Sequence, residues 1–68
     1  PPDPRQLLRK NVTRLRAAAE LTQEELAEAA QIDRRYVQRI EAGTANPGLL
    51  VLDRLRTALD CSWKELLE

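Results

Sequence analysis

The sequence predicts an all-α fold: a compact bundle of five helices near residues 4–19, 22–30, 33–42, 47–59 and 62–67. Three observations carry that expectation. Short acceptor side chains stand where helices would begin, and two of them are followed three residues later by glutamate. Apolar residues recur at the three- and four-residue spacing that lines one face of a helix. The chain has 68 residues, with Tyr36 and Trp63 as its aromatics and no phenylalanine. A chain this short buries about 60% of its unfolded surface, so it builds one core, here of leucine, valine, isoleucine and alanine. Residues 1–68 read as a single domain without repeat, linker or low-complexity tract.

Asp3-Pro4 opens the first helix, with Asp3 as N-cap and proline at the first helical position, where its missing N–H leaves no gap. Leu8, Val12, Leu15 and Ala19 fall on its apolar stripe. Thr22 and Glu25 form a capping box for the second helix: the hydroxyl takes an orphan backbone N–H and the glutamate reaches back. Asp33 suits the N-cap of the third helix, both as a short acceptor and as a negative charge at the positive end of the helix dipole. Between these two helices only Gln31-Ile32 remain, and so short a link makes them cross steeply. Leu26, Ala27, Ala30, Ile32, Val37 and Ile40 face inward, with the Ala27 methyl allowing the closest approach. On the opposite side of the third helix Arg34, Arg35, Gln38 and Arg39 point to solvent, stacked in pairs four residues apart.

Gly43-Thr44-Ala45-Asn46-Pro47 ends the third helix and restarts the chain, with Asn46 as the expected cap and Pro47 in the first turn. The fourth helix is expected to bury Leu49, Leu52, Leu55 and Leu59. Ser62-Trp63-Lys64-Glu65 is a second capping box, and Trp63, Leu66 and Leu67 are the apolar part of the last helix.

Residues from about Arg9 to Leu67 resemble the helix-turn-helix DNA-binding domain of the lambda-repressor, Cro and Xre family. The similarity rests on Leu21-Thr22-Gln23-Glu24-Glu25-Leu26-Ala27, Ile40-Glu41-Ala42-Gly43, Asn46-Pro47 and Leu66-Leu67 taken together. Asp33-Arg34-Arg35-Tyr36-Val37, with Glu41, Gly43 and Asn46-Pro47, also resembles the controller proteins of restriction-modification systems. Three positions depart from the family pattern. Glu20 and Gln31 stand where glycine is common; a left-handed backbone at either would strain a side-chain-bearing residue by about 1 kcal/mol. Arg56 replaces a small apolar residue, and its stem is expected to cover core atoms while the guanidinium reaches water.

The resemblance implies a sequence-specific regulator of double-stranded DNA, repressing or activating a promoter through paired half-sites. Arg34, Arg35, Gln38 and Arg39 are then the base-reading candidates, arginine as a fork onto guanine and glutamine onto adenine. The residues do not themselves divide base contacts from phosphate contacts, and ordinary ion pairs on an exposed helix are the alternative for this face. Gln23 and Thr22, at the start of the second helix, suit a phosphate, as do Thr44 and Asn46 in the later loop, with Tyr36 adding its hydroxyl. The family pattern further implies a salt bridge between Arg16 and Glu41. Leu50 and Val51 widen the apolar stripe of the fourth helix. With Trp63 and Leu67 they are candidates for a homodimer patch, as a two-fold operator requires.

Net charge is zero, with 11 basic and 11 acidic residues, so any nucleic-acid partner must meet a local field. Arg5, Arg9, Lys10, Arg14 and Arg16 form a basic run without an acid, whereas Glu20, Glu24, Glu25 and Glu28 crowd the next segment. The expectation is that base and acid separate onto different faces. Enzymatic chemistry has little support: there is no histidine, a single cysteine, no phosphate-cradling glycine loop and no metal-ligand spacing. No cofactor or small-molecule ligand is expected. Cys61 cannot form an internal disulfide, and neither a bilayer-spanning run nor a secretory signal is visible, so a cytoplasmic setting is the default. The rival function is a protein-interaction module on the same scaffold, antitoxin-like or anti-regulator, which basic residues on the third helix disfavour.

Overall fold

Asp3 caps the first helix through its Oδ1, which accepts the Arg5 backbone N–H at 2.9 Å. From there a computed structural model gives five helices: α1 (Pro4–Ala18), α2 (Gln23–Ala30), α3 (Arg34–Glu41), α4 (Leu49–Leu59) and α5 (Trp63–Leu67). The structure describes residues 3–68; residues 1 and 2, which the expected domain span includes, lie outside the described residues. Both capping boxes are closed in both directions, Thr22 with Glu25 and Ser62 with Glu65. Asp33 caps α3 by accepting the Arg35 N–H at 2.7 Å.

Three helix ends turn through a left-handed residue that is not glycine: Glu20 and Gln31 at φ 58° and Asp60 at φ 50°. After each, the chain doubles back onto the helix it has left. Leu21 N–H returns to Arg16 O, Ile32 N–H to Ala27 O and Cys61 N–H to Arg56 O, at 3.1, 2.9 and 3.1 Å. These bonds satisfy carbonyls that a helix end otherwise strands.

The core is continuous across all five helices, with Val12, Leu26, Val37, Ile40, Leu55 and Leu66 at its centre. Ala27 and Ala30 are buried where α2 meets its neighbours, and Ile32 is half-buried against the same cluster. Cys61, in the link between α4 and α5, is a buried free thiol, and burial pushes it above its ordinary range. Asn11, a polar residue on the buried side of α1, donates through Nδ2 to Leu66 O at 2.9 Å. That bond supplies a partner to an amide that would otherwise be buried unpaired.

Four details differ from the sequence expectation. Ala19 is exposed, because α1 ends at Ala18 and the chain is already turning into left-handed Glu20. The α4 cap is Gly48, which offers no side-chain bond, and not Asn46 with Pro47. Ala45 is buried, so the chain uses residues 46–48 to climb out of the core before helix can start. Leu49 is 73% exposed. At about 100° per residue it lies roughly 90° round α4 from the inward row of Leu52, Leu55 and Leu59. The Arg56 guanidinium does not extend freely into water: it donates to Asp53 Oδ1 at 2.8 Å and lies over the Trp63 ring, 5.0 Å from the centroid. Its Nε is buried without a partner.

Candidate nucleic-acid interface

Two sides of α3 have opposite characters. Val37 and Ile40 are buried at 0% and 1% exposure, whereas Arg34, Arg35, Gln38 and Arg39 are all exposed. The core fixes the helix by its apolar side and leaves the long polar chains directed outward. Their charges are lightly held. Arg34 is 4.0 Å from Glu24 and Arg35 is 3.9 Å from Asp33, with 58% and 85% of the arginine side chains exposed. Such separations at such exposure contribute little binding energy and leave both guanidinium groups able to change partners. Arg39 stands over Tyr36, 5.9 Å from the ring centroid, and Tyr36 is half-buried against the core.

The end of α3 is tied to the rest of the molecule by a polar knot. Arg16 Nε donates to Glu41 Oε2 at 2.6 Å and its Nη2 to Oε1 at 2.9 Å, while Nη1 donates to Leu21 O at 2.8 Å. Gln23 Nε2 adds a bond to the same Glu41 Oε1 at 3.1 Å. One carboxylate thereby joins α1, the first residue of α2 and the last turn of α3. The Gln23 amide is not free-standing in this arrangement; the Thr22 hydroxyl is likewise engaged, accepting the Glu25 N–H at 3.0 Å. Beyond α3, Gly43 turns at φ 78° and the Thr44 hydroxyl donates to Arg39 O at 3.2 Å. Asn46 is exposed and shares a shallow hollow with Asp3, Pro4 and Arg5.

Charges do not simply divide into a basic and an acidic face. Arg5 is paired with Asp3 at 2.7 Å, and the bond holds the Asp3 carboxyl below its usual range. The Glu65 carboxyl is lowered first by the Ser62 N–H and hydroxyl, and further by the Arg14 charge. Arg16 is engaged by Glu41.

Among the proposed dimer residues, Leu50 and Trp63 are exposed and line one open hollow, together with Leu49 and Asp53. Leu67 is also exposed but lines a different cleft, with Leu8, Leu52 and Pro47. Val51 is half-buried against the core. Leu49 is the member that sequence reasoning assigned elsewhere; its spacing of four from Asp53, not its hydrophobicity, was the available signal. Among the described residues no cluster of histidine, cysteine or carboxylate side chains converges as a metal site would.

A model of the helix-turn-helix family matches residues 12–66. The HTH-type transcriptional regulator YqaF of Bacillus subtilis is 39% identical over 57 residues, covering 84% of this chain and 75% of that protein. The regulator y4dJ of Sinorhizobium fredii is 38% identical over 64 residues, covering 94% and 83%. Both relatives are uncharacterized. Among solved structures, the restriction-modification controller protein C.AhdI from Aeromonas hydrophila superposes with a TM-score of 0.87 at 37% identity, over 91% of this chain and 94% of that one. The hypothetical transcription factor NHTF from Neisseria gives a TM-score of 0.92 at 32% identity, over 97% and 76%. With the family match spanning most of the sequence and the α2–turn–α3 geometry in place, the chain belongs to the helix-turn-helix family of transcriptional regulators, of the lambda-repressor and Xre type.

Proposed function

We propose that the chain binds double-stranded DNA sequence-specifically as a homodimer, each α3 entering the major groove of one of two operator half-sites. The observation that carries this reading is the two-sidedness of α3: Val37 and Ile40 locked in the core, with Arg34, Arg35, Gln38 and Arg39 exposed together on the other side. A major groove is wide enough for one helix, and arginine and glutamine match the acceptor and donor edges of guanine and adenine. Thr22, Gln23, Thr44 and Asn46, which flank that helix, and Tyr36 within it are assigned to phosphates, where contacts set position without reading sequence. Paired half-sites one turn of duplex apart require two such helices about 34 Å from each other, and the hollow at Leu50 and Trp63 is assigned to the two-fold contact that holds them so. Such a regulator works in the cytoplasm; no described helix is long and apolar enough to cross a membrane.

Selection of bound sequences from a random duplex pool tests the reading. The expected product is a pair of two-fold related half-sites about 10 base pairs apart. Arg35→Ala and Gln38→Ala each relax one position by about 1–3 kcal/mol of discrimination. No enrichment, together with no mobility shift on nonspecific duplex at low salt, overturns it in favour of a protein-interaction module.

A further inference from the structure

Acidic partners take up two members of the basic run of α1. Arg5 is closed onto Asp3 and Arg16 is gripped by Glu41, whereas Arg9, Lys10 and Arg14 pair with no acid among the described residues. Of these three, Arg9 is the one held by a side-chain bond, and to a neutral partner: its Nε donates to Gln6 Oε1 at 3.0 Å. The guanidinium is therefore oriented but not neutralised.

Gln6 is in turn fixed against the loop that follows α3. Its Nε2 stands 3.5 Å from Gly43 O, and a Cβ built on Gly43 would come within 2.6 Å of the same nitrogen. The first turn of α1 continues along that loop, since Asp3, Pro4 and Arg5 share a hollow with Asn46. Arg9 and Arg16 are seven residues apart, which places them on one flank of α1 about two turns from each other. Arg16 shows which way that flank faces, because it meets the last residue of α3. Lys10, one residue on, is carried about 100° round the helix from that flank.

We propose that Arg9 is a phosphate-binding residue that extends the DNA interface from the α2–turn–α3 unit onto α1, with Gln6 as the positioning residue that holds it beside the Gly43-Thr44 loop. The inference rests on the DNA-binding reading above. A strand that passes Thr44 and Asn46 meets the Arg9 guanidinium next, and the Gln6 bond at Nε leaves the terminal nitrogens available to phosphate oxygens. Arginine at this place adds affinity for any duplex and no preference among sequences.

The test is the salt dependence of binding to one nonspecific duplex and to the selected operator, for wild type, Arg9→Gln and Lys10→Gln. A lost phosphate contact lowers the slope of log affinity against log salt by about 0.9. Arg9→Gln is expected to show that decrease on both duplexes with the selected sequence unchanged, so its deficit shrinks about threefold between roughly 50 and 200 mM salt. Lys10→Gln is expected to keep the wild-type slope. Equal slopes for wild type and Arg9→Gln, or equal decreases for both variants, overturn the Arg9 assignment while leaving the DNA reading intact. A wild-type protein that binds no duplex overturns both. Circular dichroism of Arg9→Gln separates a folding defect from a contact defect, and an unaltered slope in a folded variant counts against the proposal.

Discussion

Arg16 and Glu41 are joined fork to fork, at 2.6 and 2.9 Å, with side-chain exposures of 20% and 7%. Arg16→Ala strands a nearly buried carboxylate, leaves the Leu21 carbonyl without its donor and loosens Gln23. Removing one partner of a fully buried pair costs about 3–5 kcal/mol; the partial exposure of Arg16 puts the expected loss at about 2–3 kcal/mol. For a domain of this size that lowers the melting midpoint by about 10 °C or more. Arg5→Ala breaks a pair at the surface and is expected to shift the midpoint far less. Equal melting curves for the two variants would remove this pair as a fastening of α3.

What the sequence announced and what it hid follow a physical division. Local signals were legible: Thr22 with Glu25, Ser62 with Glu65 and Asp33 each act within a few residues, and each cap forms where its spacing predicts. The inward row of α4 was legible too, apart from Leu49, whose exposure depends on where the helix begins. Ala45 enters the core, a tertiary fact that spacing does not carry, and Asn46-Pro47 form loop with Gly48 as the cap. Asn11 looks like a surface residue until Leu66 O is brought to it from the far end of the chain. The α3 face was readable from spacing alone, but the engagement of Gln23 by Glu41 was not, since it joins residues brought together only by the helix crossing.

Gln31 holds a left-handed backbone at φ 58° in the link that sets the α2–α3 crossing. A residue with Cβ is strained there by about 1 kcal/mol, and glycine relieves the strain while adding some freedom to the unfolded chain. Gln31→Gly is therefore expected to stabilise by about 0.5–1 kcal/mol in urea unfolding with an unchanged slope. Gln31→Val, β-branched at the same angle, is expected to destabilise by more than that. A Gln31→Gly variant with a lower midpoint than wild type would show that the side chain contributes something the backbone strain does not outweigh.

Acid sensitivity follows from the two capping boxes. Glu25 and Glu65 accept the backbone N–H of Thr22 and Ser62 at 2.8 and 2.9 Å, and those bonds hold both carboxyls below the usual glutamate range. A group whose folded pKa is lowered contributes stability that is complete above its unfolded pKa and is lost as pH falls through the folded value. Stability is expected to decline once pH drops past about 4.3, the ordinary glutamate value. The double variant Glu25→Gln, Glu65→Gln keeps an acceptor at each cap but has no carboxyl to titrate there. Its unfolding midpoint should vary less between about pH 5 and pH 3 than that of wild type. Parallel acid limbs for the two proteins would place the acid-sensitive groups elsewhere.

Leu49 and Leu50 open α4 at 73% and 64% exposure, and Trp63 at 39% closes the other side of their hollow. Three large apolar side chains gathered on one face of so small a domain form the kind of patch that a partner covers. On the proposed reading the partner is a second copy, and an interface built from the same patch on both subunits would bring Leu50 near its symmetry mate. Leu50→Glu then sets two carboxylates against each other in a water-poor contact, so sedimentation should show wild type dimerising at micromolar concentration and the variant remaining monomeric. The fold should tolerate the change, because Leu50 contributes little to the monomer core; an exposed substitution of this kind shifts stability by no more than about 0.5 kcal/mol. Val51 is the wrong residue for this purpose, being half-buried against the core, where a charge would unfold the monomer and hide the effect. Loss of paired-site affinity with retained binding to a single half-site would link the patch to operator recognition. A wild-type chain that sediments as a monomer at high micromolar concentration and binds two half-sites no more tightly than one would exclude it.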